Sequence, residues 1–187
     1  MAWRTIPNWL SGLRLAALPV LWGVALAGNA VWLGWLLLAA WTTDVLDGYL
    51  ARRWGVESAW GSRLDTIGDH LLLFSMLAWV ALLEGDFVRA EAVALTVWLG
   101  LWIGALVFGW VKFRRFADLH LYSSKVAVFL AVTFIIHLFI ADGYSTAFFY
   151  AAVTAGVVSS LEMVAVMSRR QRVDEKIGSL LHDLQRS

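Results

Sequence analysis

An all-α integral membrane fold is what this sequence predicts: six transmembrane helices preceded by a short interfacial amphipathic helix. Composition is the first reason. The chain has 187 residues, of which 60% are hydrophobic and only 16% charged, a balance wrong for a soluble domain and right for a polytopic membrane protein. Periodicity is the second, because six apolar stretches each approach the roughly 20 residues a helix needs to cross a bilayer. The third is the placement of charge, which collects at the ends of those stretches and on one side of them.

The interfacial helix is expected over about residues 2–11, where Trp3, Ile6, Trp9 and Leu10 supply aromatic and apolar anchors. Spans follow at about 12–28, 30–52, 63–83, 90–111, 123–141 and 144–167, the first two separated only by Gly28-Asn29. Residues 1–170 read as one membrane domain and 171–187 as a polar cytoplasmic tail, weakly amphipathic through Ile177, Leu180, Leu181 and Leu184. Met1 to Asn8 lacks a cleavable signal pattern, so the first apolar run is expected to remain as an anchor. Cysteine is absent, which excludes disulfides and thiolate metal sites, and no basic block points to nucleic acid.

Charge asymmetry sets the expected topology. With both termini on one side, that side carries Arg4, Arg14, Arg52, Arg53, Arg63, Lys112, Arg114, Arg115, Lys125 and the basic residues of the tail, while the other carries Arg89. The positive-inside rule then puts the termini of this multi-pass protein, and the second and third spans' basic ends, in the cytoplasm.

Four aspartates fall at the cytoplasmic ends of the second and third spans. Asp44 and Asp47 are three residues apart on one helix, and Asp65 and Asp69 four apart on the next, so each pair shares a face. Acids inside membrane segments are rare and mark sites of chemistry or transport. Four converging carboxylates cannot all stay ionised without cations, and hard divalent ions such as Mg²⁺ are their natural partners. Gly48, Ala51 and Gly61 leave room beside these faces, and Arg52 offers a bidentate donor for phosphate. The residues describe a metal-loaded, cytoplasm-facing pocket for an anionic substrate that enters from the lipid.

The pattern Asp-x2-Asp-Gly-x2-Ala-Arg-x8-Gly-x3-Asp-x3-Asp, running from Asp44 to Asp69, resembles the signature of the CDP-alcohol phosphotransferases, the class-I CDP-alcohol phosphatidyltransferase family. The opening Pro7-Asn8-Trp9-Leu10-Ser11-Gly12-Leu13-Arg14 resembles that family's Pro-Asn-x-Leu-Thr/Ser-x-x-Arg, and the likeness covers about residues 5–170. It implies that Asp44, Asp47 and Asp65 hold two divalent metals, Mg²⁺ or Mn²⁺, with Asp69 joining one of them and acting as general base. It implies further that Gly48, Arg52 and Ser58 contact the CDP moiety, that Ala51 and Gly61 give it room, and that Pro7 to Leu10, Asn8 above all, close over the nucleotide. The reaction implied moves a phosphatidyl group from CDP-diacylglycerol to an alcohol, with release of CMP.

Acceptor identity is less legible. The loop Lys112-Phe113-Arg114-Arg115-Phe116-Ala117-Asp118-Leu119-His120 and Lys125 would suit a phosphate on the acceptor, and family members using glycerol 3-phosphate carry basic residues here. Bacterial phosphatidylglycerophosphate synthases, however, usually read Leu-Asp-Pro-x-Ala-Asp-Lys where this chain reads Leu64-Asp65-Thr66-Ile67-Gly68-Asp69-His70, and His70 is an alternative lining residue. Arg114 and Arg115 fit the positive-inside pattern equally well. Glu162 either snorkels toward Arg169 or tunes the pocket, and His137 reads as a helix–helix hydrogen bond. The 12 Trp residues read mostly as interfacial anchors and lipid-facing bulk. Gly100, Gly104 and Ala105 suit close helix packing, within the chain or across a homodimer.

Other functions stay in view. The same family can transfer phosphocholine or phosphoethanolamine to diacylglycerol, or form cardiolipin from phosphatidylglycerol. A cation-coupled transporter would also carry membrane acids, although transporters place them near the midplane within repeat-related broken helices.

Overall fold

The structure, a computed structural model, describes residues 6–54, 59–114, 121–141 and 143–169, with side chains described at 16–43, 68, 70–114, 121–141 and 143–169. Seven helices run through these residues, and none of the described residues is in a strand. They are α1 (Ile6–Leu26), α2 (Ala30–Trp54), α3 (Ala59–Leu83), α4 (Gly85–Ala90), α5 (Ala92–Phe113), α6 (Tyr122–Ile140) and α7 (Thr146–Arg169). Of these, α5, α6 and α7 are long and apolar enough to cross a membrane; Ala16–Leu26, Ala30–Thr43 and His70–Leu83 form shorter apolar helical stretches.

Six helices stand where the six spans were expected. The start differs. No break separates an interfacial helix from the first span, since the backbone is one helix from Ile6 to Leu26. Pro7 falls in the first turn, where its missing N–H has no intrahelical partner to lose. The short helix α4 was not anticipated; it begins at Gly85, carries Asp86 in its first turn and Arg89 in its last, and buries Phe87. The tail from residue 170 lies outside the described residues.

Between α1 and α2 two residues end one helix and begin the next. Gly28 adopts φ 74°, and its N–H reaches Ala25 O at 2.9 Å while the Asn29 N–H reaches Val24 O at 3.3 Å. This crossed pair closes the end of α1, and the left-handed residue it requires is cheapest as glycine. The Asn29 side-chain oxygen then accepts the Trp32 N–H at 3.3 Å, capping α2.

Two compact units form, and α6 contributes to each. In the first, which runs to Phe87 and takes in the end of α6 from Ile135, α1 packs against both α2 and α3. Leu18, Leu21 and Ala25 of α1, Leu33 and Leu37 of α2, and Met76, Trp79 and Val80 of α3 are its buried apolar side chains, with Phe139 of α6. Trp22 donates its indole N–H to the Ser75 hydroxyl at 3.0 Å and meets Trp79 edge to face at 5.6 Å between ring centroids. Gly34 sits where α2 and the end of α6 approach closely; a Cβ there would come within 3.0 Å of Phe139 Cβ.

The second unit is built on α5 against α7. Ala105, Leu121, Met163, Val166 and Met167 form one buried cluster, flanked by Phe108, Phe113 and Val164. The closest approach is at Gly156, where a Cβ would lie 2.7 Å from Trp98 Cδ1 and nearer still to Nε1 and Cε2. Toward the other end, Phe134, Tyr144, Phe148, Phe149 and Tyr150 stack as edge-to-face and tilted rings. The Glu91 carboxylate joins that end: Oε1 accepts the Tyr144 hydroxyl at 2.7 Å and Oε2 the Tyr150 hydroxyl at 2.9 Å.

Small residues and tryptophans mark where the helices pack. Close packing on α5 occurs at Ala105, which is buried, whereas Gly100 and Gly104 face open space. Among the described tryptophans, Trp32, Trp35 and Trp110 are exposed, Trp79 is fully buried, Trp22 is half-buried and Trp98 packs into Gly156. Large aromatic rings fill the gaps that small residues leave between helices, which interfacial preference alone does not foresee.

Candidate active site

The aspartates divide between α2 and α3, the two helices that lean on α1. Asp44 and Asp47 lie ten and seven residues before the end of α2 at Trp54, and Asp65 and Asp69 six and ten residues after the start of α3 at Ala59. At 1.5 Å per residue both pairs stand about 10 to 15 Å from the helix ends that residues 55–58 connect. Counted along their helices, the two pairs thus stand at similar distances from those ends. Gly48, Ala51 and Arg52 are on α2, and Gly61 and the buried Gly68 on α3. The side chains of residues 44–67 and of Asp69, the whole of Ser58, and the side chain of Asn8 on α1 lie outside the described part of the structure.

The turn that leads into Asp44 is described. Thr42 donates its hydroxyl to Leu38 O at 2.7 Å and Thr43 to Ala40 O at 2.8 Å. Both hydroxyls thus satisfy themselves within α2, as membrane depth demands of a polar group. A set of four carboxylate oxygen donors and no sulfur or imidazole is chemistry for a hard divalent cation, so the residue types present fit Mg²⁺ or Mn²⁺.

Of the basic residues singled out for the acceptor, Arg114 closes α5 with φ 56° and ψ 23°, its N–H on Trp110 O at 2.8 Å. It is the non-glycine residue with positive φ among the described residues. Lys125 is exposed in the first turn of α6, its ammonium 5.7 Å from the centroid of the Tyr122 ring. Beside it the Ser124 and Ser159 hydroxyls share a hydrogen bond of 2.8 Å, fixing the start of α6 on α7. Arg115 lies outside the described residues, and His70 is exposed on α3.

Lys112 has a different role from the phosphate contact the basic loop had offered. Its ammonium donates to Met167 O at 2.7 Å and Ser168 O at 2.9 Å, and it lies 5.9 and 5.6 Å from the Phe108 and Phe113 ring centroids. It caps the last carbonyls of α7, which have no intrahelical partner. Sequence reasoning also missed Tyr122 and the Glu91 clamp. An aromatic residue three positions before a lysine on a helix was the available signal for the first; the second joins residues 53 and 59 apart and has no local signature.

Such a chain is in class an apolar helical bundle of the kind that membranes hold, with one aspartate pair on α2 and one on α3. Residues 4–158 match the sequence profile of the CDP-alcohol phosphatidyltransferases. The chain belongs to this family. A CDP-diacylglycerol–glycerol-3-phosphate 3-phosphatidyltransferase of Cereibacter sphaeroides is 42% identical over 77 residues, 39% of this chain and 34% of that protein. A CMP-forming cardiolipin synthase of Homo sapiens is 34% identical over 112 residues, 59% of this chain and 36% of the relative. Another, from Streptomyces coelicolor, is 43% identical over 79 residues, 39% of this chain and 37% of the relative. The chain thus spans about a third of the length of these curated relatives. No solved structure matches it.

Proposed function

We propose that the protein transfers a phosphatidyl group from CDP-diacylglycerol to an anionic alcohol, glycerol 3-phosphate, and releases CMP. The observation that carries this reading is the unbroken aspartate pattern, with one pair on α2 and the other on α3, in a chain of this family. Asp44, Asp47, Asp65 and Asp69 hold two divalent ions, which when bound stabilise charge on the attacking and leaving oxygens. Arg52, with Gly48 and Ser58, holds the diphosphate, while Ala51 and Gly61 leave room for the nucleotide and Asn8 closes over it. Asp69 takes the proton of the acceptor hydroxyl. That oxygen bonds to the phosphorus attached to the lipid, the bond from this phosphorus to the bridging oxygen breaks, and CMP departs with the oxygen.

Arg114, Arg115 and Lys125 attract the charge on the acceptor. Phosphatidylglycerol, the acceptor for cardiolipin, is the second reading, supported by the cardiolipin synthases among the relatives. The site faces the cytoplasm of a multi-pass membrane protein, as the basic residues favour. Residues 1–170 act as one catalytic membrane domain, with the tail outside it. A homodimer across the open Gly100–Gly104 face of α5 fits the spacing that lets membrane helices approach closely.

The test is CMP release by detergent-purified protein with CDP-diacylglycerol and Mg²⁺, offering glycerol 3-phosphate, inositol phosphate, serine, inositol and phosphatidylglycerol singly. Release that depends on glycerol 3-phosphate and stops with a chelator supports the reading. Release with phosphatidylglycerol alone moves it to cardiolipin formation, and no release with any acceptor overturns it.

A further inference from the structure

We infer that Tyr122 is a positioning residue for the anionic acceptor, holding the Lys125 ammonium outward at the start of α6. The inference rests on the acceptor reading above and adds to it a residue that neither the pattern of aspartates nor the basic loop contains. Tyr122 is 67% exposed, too open to be a core residue, yet its ring lies under the Lys125 ammonium at 5.7 Å. The two residues are one helical turn apart, so α6 itself sets their pairing.

The choice of partner matters chemically. A carboxylate beside Lys125 would offset its charge and occupy its N–H donors. An aromatic face attracts the cation through the ring quadrupole and leaves the N–H groups on the outer side free to donate. Among the described residues no carboxylate pairs with Lys125. The ring contact restrains the ammonium without using its N–H donors, which lowers the side-chain ordering cost of binding a phosphate.

The backbone beneath is fixed as well. Leu121, immediately before Tyr122, is fully buried in the cluster with Met163, Val166 and Met167, and Phe113, immediately before Arg114, packs on the same cluster. Ser124 is tied to Ser159. Two cationic residues therefore emerge from one rigid patch. Arg114 does so in a left-handed conformation that glycine would adopt at less cost, consistent with a side chain kept for its charge.

The experiment compares acceptor kinetics of Tyr122→Leu, Tyr122→Phe, Lys125→Ala and Tyr122→Leu/Lys125→Ala in purified full-length protein. Tyr122→Leu should raise the KM for glycerol 3-phosphate by roughly two- to fivefold, the worth of an exposed cation–π contact. Its kcat and its KM for CDP-diacylglycerol should hold. Tyr122→Phe, which keeps the ring and loses the hydroxyl, should restore the wild-type KM. In the Lys125→Ala background Tyr122→Leu should add nothing. An unchanged KM in Tyr122→Leu, no rescue by phenylalanine, or the same effect without Lys125 would each overturn the inference. Should the wild type release no CMP, the functional reading fails separately. Calorimetric titration of glycerol 3-phosphate into wild type and Tyr122→Leu then decides: weaker binding in the variant upholds the role of Tyr122, and equal or absent binding overturns it.

Discussion

Replacing Gly156 by alanine asks whether α5 and α7 meet as closely as the structure has them. The added methyl would lie 2.7 Å from Trp98 Cδ1, with two more indole atoms nearer, so ring or helix must move. Forcing a methyl into a packed interior costs about 1–3 kcal/mol. In water, part of this would be offset by the better helix propensity of alanine, about 1 kcal/mol. In a membrane the unfolded reference keeps its helices, and burial between helices gains little over lipid, so most of the strain should remain. For a chain of this size each kcal/mol moves the midpoint by roughly 2–4 °C, giving a fall of about 2–12 °C.

Thermal unfolding of Gly156→Ala in a single detergent, followed by near-ultraviolet circular dichroism, reads that shift through the indoles. Gly23→Ala on α1 is the control, where a Cβ meets nothing within 4 Å and no loss is expected. Adding Trp98→Phe, which shortens the ring, should recover part of the loss, giving a favourable coupling on the order of 1 kcal/mol in a double-mutant cycle. A Gly156→Ala protein as stable as wild type, or one equally destabilised with phenylalanine at 98, would refute the packing argument.

Arg114→Gly should stabilise the fold modestly, by up to about 1 kcal/mol, because φ 56° suits glycine, while raising the KM for an anionic acceptor; a lower melting temperature would show instead that the arginine side chain supports the fold. Lys112→Met should cost about 1 kcal/mol through two lost hydrogen bonds at an exposed helix end, read as a fall in melting temperature of a few degrees. Hydrogen bonding to the Glu91 carboxylate holds the Tyr144 phenol above its usual value of about 10, so the folded state keeps this proton more tightly than the unfolded one. Stability should therefore be intact below about pH 10 and decline as pH rises through the raised value, and Tyr144→Phe should flatten that alkaline limb. Asp69→Asn should keep CDP-diacylglycerol binding and abolish CMP release; undiminished turnover would remove it as the base.

The helical framework was legible because hydropathy and length read directly on a bilayer, and Gly28-Asn29 marked its turn by residue type alone. Where the chain enters the first helix it was not legible, since Asn8, Ser11 and Arg14 break the apolar pattern without breaking the backbone helix. Gly100 and Gly104 carry the same local signal as Gly156, and only the arrival of Trp98 from another helix tells them apart. For the site, the sequence supplied residue types and spacing, and the helix bounds put one aspartate pair on α2 and the other on α3. What it could not supply was division of labour among the cations. Lys112, Arg114 and Lys125 look alike in a basic loop, yet one caps a helix, one bends the chain and one rests on a ring.

That Lys112 reaches the carbonyls of Met167 and Ser168 has a consequence for handling the molecule. The finish of α7 depends on a side chain 55 residues earlier in the chain. A tag, fusion partner or stop codon placed after Arg169 therefore leaves the termination of α7 in the keeping of α5.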